Sequence, residues 1–141
     1  MLFQNCAAIA EALAKEGATV ALHGRDVKRT AEILNTIEAA GGSAFPVAAN
    51  LLDSAEIKAM CGTVLEHLGG IDIIVNNAGW ADFAPVPDMP EEMWDRIMDT
   101  NVKAPYLVSR HLLPAMLAQK SGGCILFNAS TSGKSADAEW T

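Results

Sequence analysis

Short apolar runs alternate with amphipathic helical segments along the chain. Residues 4–16 place apolar positions at helical spacing and end at Gly17, and the apolar run 18–22 has the length of a strand. The pattern next predicts a helix capped by Asp26, an extended segment at 43–48, a helix opened by Asp53, a strand at 71–75, a helix from about 90 to about 119 and a strand at 124–129. This alternation predicts an α/β fold, a doubly wound parallel sheet with helices on both faces.

Two local signals refine this pattern. Pro46 stands inside the extended segment and cannot donate a ladder hydrogen bond, which places that strand at a sheet edge. Asp53 is followed three residues later by Glu56, which predicts a reciprocal capping box at the start of the third helix.

Composition narrows the class of protein. The 141 residues are half apolar and carry a net charge of -7, which predicts one soluble domain over residues 1–141. No run of about 18 apolar residues could span a bilayer, and ten Lys and Arg against seventeen Asp and Glu form no basic stripe. We therefore expect no membrane and no nucleic-acid partner.

The cysteines and the first residues indicate the compartment. Cys6, Cys61 and Cys124 are scattered, without a CxxC pair or a histidine at ligand spacing, so neither a disulfide framework nor a metal site is predicted. The first residues lack a basic region, and Glu11 interrupts their apolar part, which argues against a signal peptide. The predicted location is a reducing cytoplasm.

The segments at the strand ends carry a family resemblance. Ligands of doubly wound sheets bind beyond the carboxyl ends of the strands. The segments GATVALHGRD, AANLLD, IDIIVNNAG, TNVKAPYLVSRHLLPAM and GGCILFNASTSG, in this order and spacing, resemble the short-chain dehydrogenase/reductase superfamily, closest to its 3-oxoacyl-thioester reductase branch. The resemblance covers about residues 7–133 and implies a partial Rossmann-like sheet.

The NNAG segment is where the resemblance implies a dinucleotide site. Ala78 and Gly79 permit close approach of a ligand to the backbone. In the resembled family, Asn77 and the Ala-Gly pair line the ribose of the cofactor, and Asn76 ties neighbouring strands together. An ordinary Asn-Gly-type turn is the alternative.

Cofactor choice is read at the end of the strand 18–22. Enzymes that prefer NAD place an acid there, and the register from Gly17 puts Gly24 at that position, with Arg25 next. Because guanidinium binds phosphate in a bidentate way, we predict NADP(H) rather than NAD(H). A solvated loop charge is the alternative for Arg25. Asn50 and Leu51 match the adenine-contacting pair of the family.

The resemblance implies hydride transfer between nicotinamide and a carbonyl or carbinol carbon. Ser130 matches the serine that holds the substrate oxygen, and Asn101 matches the asparagine that carries a water in the proton relay. Pro105 has no N–H for the Asn101 carbonyl, which leaves that carbonyl for a water. The alternatives are an ordinary Ser turn at Ser130 and a mere helix kink at Pro105.

Two parts of the family pattern are absent from the sequence. No GxxxGxG turn precedes the first helix, and the Tyr-x-x-x-Lys motif would fall about thirteen residues past Ser130, beyond Thr141. Tyr106 is the only tyrosine and lies mid-helix. The family's first strand lies between those ending at Leu22 and Val75, so we expect an opening in the middle of the sheet. We interpret the chain as an interior fragment of a reductase with negligible turnover alone.

A second class of function stays open. The chain could instead be a non-catalytic domain that serves as a binding or oligomerisation module. The helix 90–119 has enough apolar surface for a homo-oligomer, as in the resembled family, although these residues could equally be core: Trp94, Ile97, Met98, Leu107, Leu112, Leu113 and Met116. For the substrate, a small carbonyl or alcohol, Trp80, Phe83 and Trp140 are candidate pocket walls, and Trp80 favours a hydrophobic or ring-bearing compound.

Overall fold

Strands and helices alternate throughout the computed structural model, which describes residues 2–130. The helices are α1 (Leu2–Lys15), α2 (Ala31–Ala39), α3 (Ser54–Leu68), α4 (Glu91–Met98) and α5 (Ala104–Gln119). The strands are β1 (Thr19–Gly24), β2 (Ser43–Ala48), β3 (Ile73–Asn76) and β4 (Cys124–Phe127). The predicted order of elements is confirmed, with boundaries that move by a few residues.

The capping box predicted for α3 forms only in its first half. The Asp53 carboxylate accepts hydrogen bonds from the backbone N–H groups of Ala55 and Glu56 at 2.7 and 3.1 Å. The Asp53 N–H already donates to the Asn50 carbonyl at 2.9 Å, and the Glu56 carboxylate instead accepts from the Asn50 N–H at 2.7 Å. The prediction of a reciprocal bond is therefore wrong, because the Asn50 carbonyl in the loop before the helix competes for the Asp53 N–H.

The described strands form two parallel pairs rather than one sheet. In the first pair Thr19 lies opposite Ser43, and in the second Ile73 lies opposite Cys124. Among the described residues no ladder joins the two pairs, which matches the opening expected between β1 and β3. Within the same range β2 pairs with β1 alone, so Pro46 lies on an edge strand as predicted.

Helices cover both faces of the first strand pair. Side chains alternate between the two faces of a strand. Along β1, Val20 and Leu22 pack with α1 and α2, whereas Ala21 packs against the core built on α3 and α5. That second core also contains Val47 of β2 and Ile74 of β3, so apolar packing bridges the two strand pairs.

The predicted helix 90–119 is continuous but not uniform. A π-helical segment, Asp99–Lys103, separates α4 from α5, and the Ala104 N–H donates to the Asp99 carbonyl five residues back. Pro105 has no N–H for the carbonyl four residues before it, which removes one α-helical bond at this place. None of the helices in residues 2–130 is long and apolar enough to cross a membrane.

Candidate functional site

The carboxyl ends of three strands meet at one cavity of about 90 Å³. His23 of β1, Leu51 after β2 and Asn76 of β3 line it from the strand side. The remaining lining residues come from β3 itself, from α3, from the turn after β3, from the π-helical segment and from α5: Val75, Met60, Asn77, Ala78, Thr100, Ala104, Pro105 and Val108. The cavity lies where a ligand of an open parallel sheet is expected, beyond the strand ends.

His23 joins the ends of β1 and β2. Its Nε2 lies 2.9 Å from the Ala49 carbonyl oxygen. Because a carbonyl only accepts, this nitrogen carries the proton and donates. The bond fixes the imidazole ring at the edge of the cavity.

The buried amide of Asn77, at the cavity, connects three parts of the chain. Asn77 is 6 % exposed; its Nδ2 donates to Cys6 Sγ of α1 at 2.8 Å, and its Oδ1 accepts from Asn128 Nδ2, beyond β4, at 2.6 Å. The Asn76 carbonyl accepts from the Asn128 N–H at 2.9 Å, so its main chain joins the ends of β3 and β4, and the side chain of Asn77 adds a second link between neighbouring elements. The side-chain nitrogen Nδ2 of Asn76 is buried and makes no hydrogen bond within the described part of the chain.

Asn101 holds the turn that follows β3. Its Oδ1 accepts from the Trp80 N–H and its Nδ2 donates to the Trp80 carbonyl, each at 2.8 Å. A Cβ atom at Gly79 would lie 3.3 Å from Asn101 Oδ1, so the small residue permits this close approach. Both polar atoms of the Asn101 side chain are therefore engaged in holding this turn.

The other predicted cofactor positions lie at the strand ends. Arg25 is exposed directly after β1, and Leu51 is half-buried against the cavity. Asn50 is exposed, and its Oδ1 accepts from the Leu52 N–H at 3.1 Å. Ala78 is exposed and lines the cavity. The structure thus brings Leu51, Asn77 and Ala78 together at the cavity, with Arg25 and Asn50 on adjoining loops.

Ser130 lies three residues past the end of β4 and is exposed. Its neighbours Thr131 and Ser132, and the candidate wall Trp140, lie outside the described residues.

The Cys61 thiol is not suited to act as a nucleophile, because burial raises its pKa to about 11 and keeps it protonated at neutral pH. Among residues 2–130 no three metal-ligating side chains cluster.

The family follows from comparison with known proteins. The family model for short chain dehydrogenases matches residues 6–141. The chain belongs to this family. Among curated relatives, it is 36% identical over 129 residues to a galactitol 2-dehydrogenase of Agrobacterium fabrum and 38% identical over 118 residues to a 3-oxoacyl-[acyl-carrier-protein] reductase of Staphylococcus aureus. The matched region covers 92% of this chain and 49% of the galactitol 2-dehydrogenase, and 83% of this chain and 48% of the reductase.

Solved structures give the same assignment. A metagenomic short-chain oxidoreductase in complex with NADP matches 95% of this chain and 61% of its own, with a TM-score of 0.90 and 41% identity. A short-chain dehydrogenase/reductase from Mycobacterium marinum matches 94% of this chain with a TM-score of 0.89 and 34% identity. The chain therefore has part of the Rossmann-like fold of this family, and it spans about half the length of the curated relatives it matches.

Two residues of the site were missed from the sequence. Cys6 had no partner in the sequence pattern, because its bond to Asn77 joins residues 71 positions apart. Arg96 of α4 lies with its guanidinium carbon 4.3 Å from the centre of the Trp80 ring. Neither contact follows from local periodicity. The one signal in the sequence is that Arg96 precedes Asn101 by five residues in the same predicted helix.

Asn77→Leu should lower the free energy of unfolding by about 1–3 kcal/mol, because it removes two hydrogen bonds made by a buried amide. The matched control is Asn35→Leu on the exposed face of α2, which should change the stability by no more than about 0.5 kcal/mol. Urea unfolding monitored by circular dichroism measures both. Equal losses in the two variants would contradict the structural role given to Asn77.

Proposed function

We propose that this chain forms the cofactor-binding part of an oxidoreductase that transfers a hydride between NADP(H) and a small carbonyl or alcohol substrate. The observation that carries the proposal is the cavity at which the ends of β1, β2 and β3 meet. The family membership of the chain makes hydride transfer the expected reaction class.

The residues after β1 support NADP(H) over NAD(H). Gly24 ends the strand where an acid would hold a ribose 2′-hydroxyl, and the exposed Arg25 follows. The nearest acid, Asp26, accepts from the Lys28 N–H at 2.9 Å as a helix cap. A guanidinium with no acid at the ribose position suits a 2′-phosphate.

The turn after β3 suits close contact with a dinucleotide. Ala78 has a small side chain and Gly79 has none, which leaves the backbone open to close approach, and Asn101 fixes the turn from the helix side. The chemistry that bound NADP(H) supplies is the gain or loss of a hydride at its nicotinamide ring. In this proposal, Asn50 and Leu51 face the adenine, while Asn77 with the Ala-Gly pair faces the ribose.

Asn101 and Ser130 are the residues assigned to proton transfer and to binding of the substrate oxygen. The Asn101 carbonyl lacks its usual donor because residue 105 is proline, and it is free in the proposal to accept from a water of the relay. The Ser130 hydroxyl donates to the oxygen of the substrate. Tyr106, the only tyrosine, accepts from Arg110 Nη1 at 3.1 Å on an exposed helix face. It offers no general acid at the strand ends, so this polypeptide alone should have negligible turnover.

Arg25→Ala should raise the dissociation constant of NADPH about tenfold or more, because a charge-assisted hydrogen bond to phosphate is lost. The dissociation constant of NADH should change less than about twofold, since NADH has no 2′-phosphate. Lys28→Ala, which removes an exposed cation three residues away, is the matched control and should leave both values unchanged. Calorimetric titration measures them. Equal weakening of both cofactors by Arg25→Ala would contradict the assignment.

A second candidate function is an oligomerisation module, and an exposed apolar stripe favours it. Trp94, Met98, Val102 and Tyr106 recur every four residues and are 55%, 38%, 54% and 55% exposed. Four residues of α-helix advance by about 40° more than a full turn. The π-helical segment in the middle of the stripe has more residues per turn and reduces this drift. One straight apolar face of this kind suits a second copy of the chain.

Val102→Glu should convert a homodimer into a monomer, because it places a charge in the centre of the stripe. Val27→Glu, at a residue 47% exposed and outside the stripe, should leave the dimer intact. Sedimentation velocity at several protein concentrations measures the assembly state. A wild-type chain that stays monomeric throughout, or a Val102→Glu chain that still dimerises, would contradict the interface.

A further inference from the structure

The residue that follows β4 is attached to the end of β3 at two points. The Asn128 N–H donates to the Asn76 carbonyl at 2.9 Å, and the Asn128 Nδ2 donates to Asn77 Oδ1 at 2.6 Å. The first bond continues the parallel pairing of β3 with β4 by one residue. The second bond comes from the side chain and reaches the next residue of the same turn. Asn128 is therefore held against rotation about either bond alone.

The Asn77 amide connects this attachment to the cavity. Asn77 lines the cavity and is 6 % exposed, and its Nδ2 donates to Cys6 Sγ of α1 at 2.8 Å. Cys6 and Asn128 thus hold the two polar atoms of one amide, which fixes its plane. An amide oxygen accepts two hydrogen bonds and an amide nitrogen donates two. One acceptor position and one N–H of Asn77 therefore remain beyond these two bonds for a ligand in the cavity.

The chain leaves β4 through Asn128 on its way to Ser130. Ser130 follows two residues later and is exposed. The two bonds of Asn128 set the direction in which this short segment starts. Because hydrogen-bonded groups polarise and orient one another, a ligand that bonds Asn77 also acts on its bond to Asn128. A change at the cavity is thereby passed to the segment 128–130.

We propose that Asn128 is a positioning residue that couples the cavity to Ser130. The ligand that acts through it is the adenosine part of NADP(H), whose ribose faces Asn77 in the proposed function. Binding of the cofactor then sets the geometry of the serine that holds the substrate oxygen. The inference rests on the proposed oxidoreductase function and deepens it.

Adenosine 2′,5′-bisphosphate is the probe for this coupling. It carries the adenine, the ribose and the 2′-phosphate of NADP(H), but no nicotinamide that could contact Ser130 directly. Amide chemical shifts of the isotope-labelled chain are followed during the titration. The Ser130 amide should shift saturably and with the same dissociation constant as the amides of residues 77–79, because one binding event drives both changes.

Variants of Asn128 separate coupling from binding. Asn128→Leu removes the side-chain bond at similar size and adds no charge. The saturating Ser130 shift should fall to less than about half, while the dissociation constant read at residues 77–79 should stay within about twofold. Asn128→His should retain most of the Ser130 shift, because an imidazole Nδ1–H can donate from the same side-chain position. Asn35→Leu, on the exposed face of α2, is the matched control and should retain the full shift.

The positioning role is also measured without any ligand. The steady-state heteronuclear NOE of the Ala129 and Ser130 amides reports backbone motion on the picosecond to nanosecond timescale. It should be lower in Asn128→Leu than in the parent chain and in Asn128→His, because the segment then starts from one bond instead of two. The values along α3 should be the same in all of these chains.

A Ser130 amide that does not respond while residues 77–79 do, or that responds fully in Asn128→Leu, would overturn the inference. An NOE that is unchanged in Asn128→Leu would also overturn it, whatever the ligand does. A chain in which the probe shifts no amide, but in which Asn128→Leu lowers the NOE, supports the positioning role and counts against NADP(H) as the cofactor. The two proposals therefore fail by different observations.

Discussion

The described fold depends on joining two strand pairs that share no backbone ladder within residues 2–130. Apolar packing does most of this, since one core contains Val47 of β2 together with Ile74 of β3. The Asn77 amide adds a directional link, because it bonds Cys6 of α1 on one side and Asn128 beyond β4 on the other. A buried amide with both groups satisfied specifies geometry that apolar contacts alone leave loose. The relative position of the strand ends follows from this link.

That arrangement explains why the candidate site lies where it does. Parallel strands place their carboxyl ends at one edge, and here the ends of β1, β2 and β3 face a common cavity. The loops after these strands carry different chemistry: a cation after β1, an amide after β2 and small residues after β3. The helical stretch 91–119 completes the site, since its π-helical segment presents Asn101 to the turn after β3.

The sequence predicted the elements better than the contacts between them. The extended segment at 43–48 matches β2 residue for residue, and the Asp53 cap was confirmed, because both depend on local chemistry. The bond predicted from Glu56 to Asp53 failed, since an acceptor in the preceding loop competes for the same N–H. The partners of Asn77 and the Arg96 contact with Trp80 join residues far apart in the sequence. Such contacts depend on tertiary packing, which cannot be predicted from local periodicity.

The central claim is that the three strand ends form one dinucleotide site. Amide chemical shifts of the isotope-labelled chain, followed during titration with NADPH, test it most directly. The account predicts that the largest saturable shifts fall on the amides of residues 24–25, 50–51 and 77–79, with one common dissociation constant. Shifts confined to residues 91–119, different constants for the three loops, or no saturable shift would contradict it.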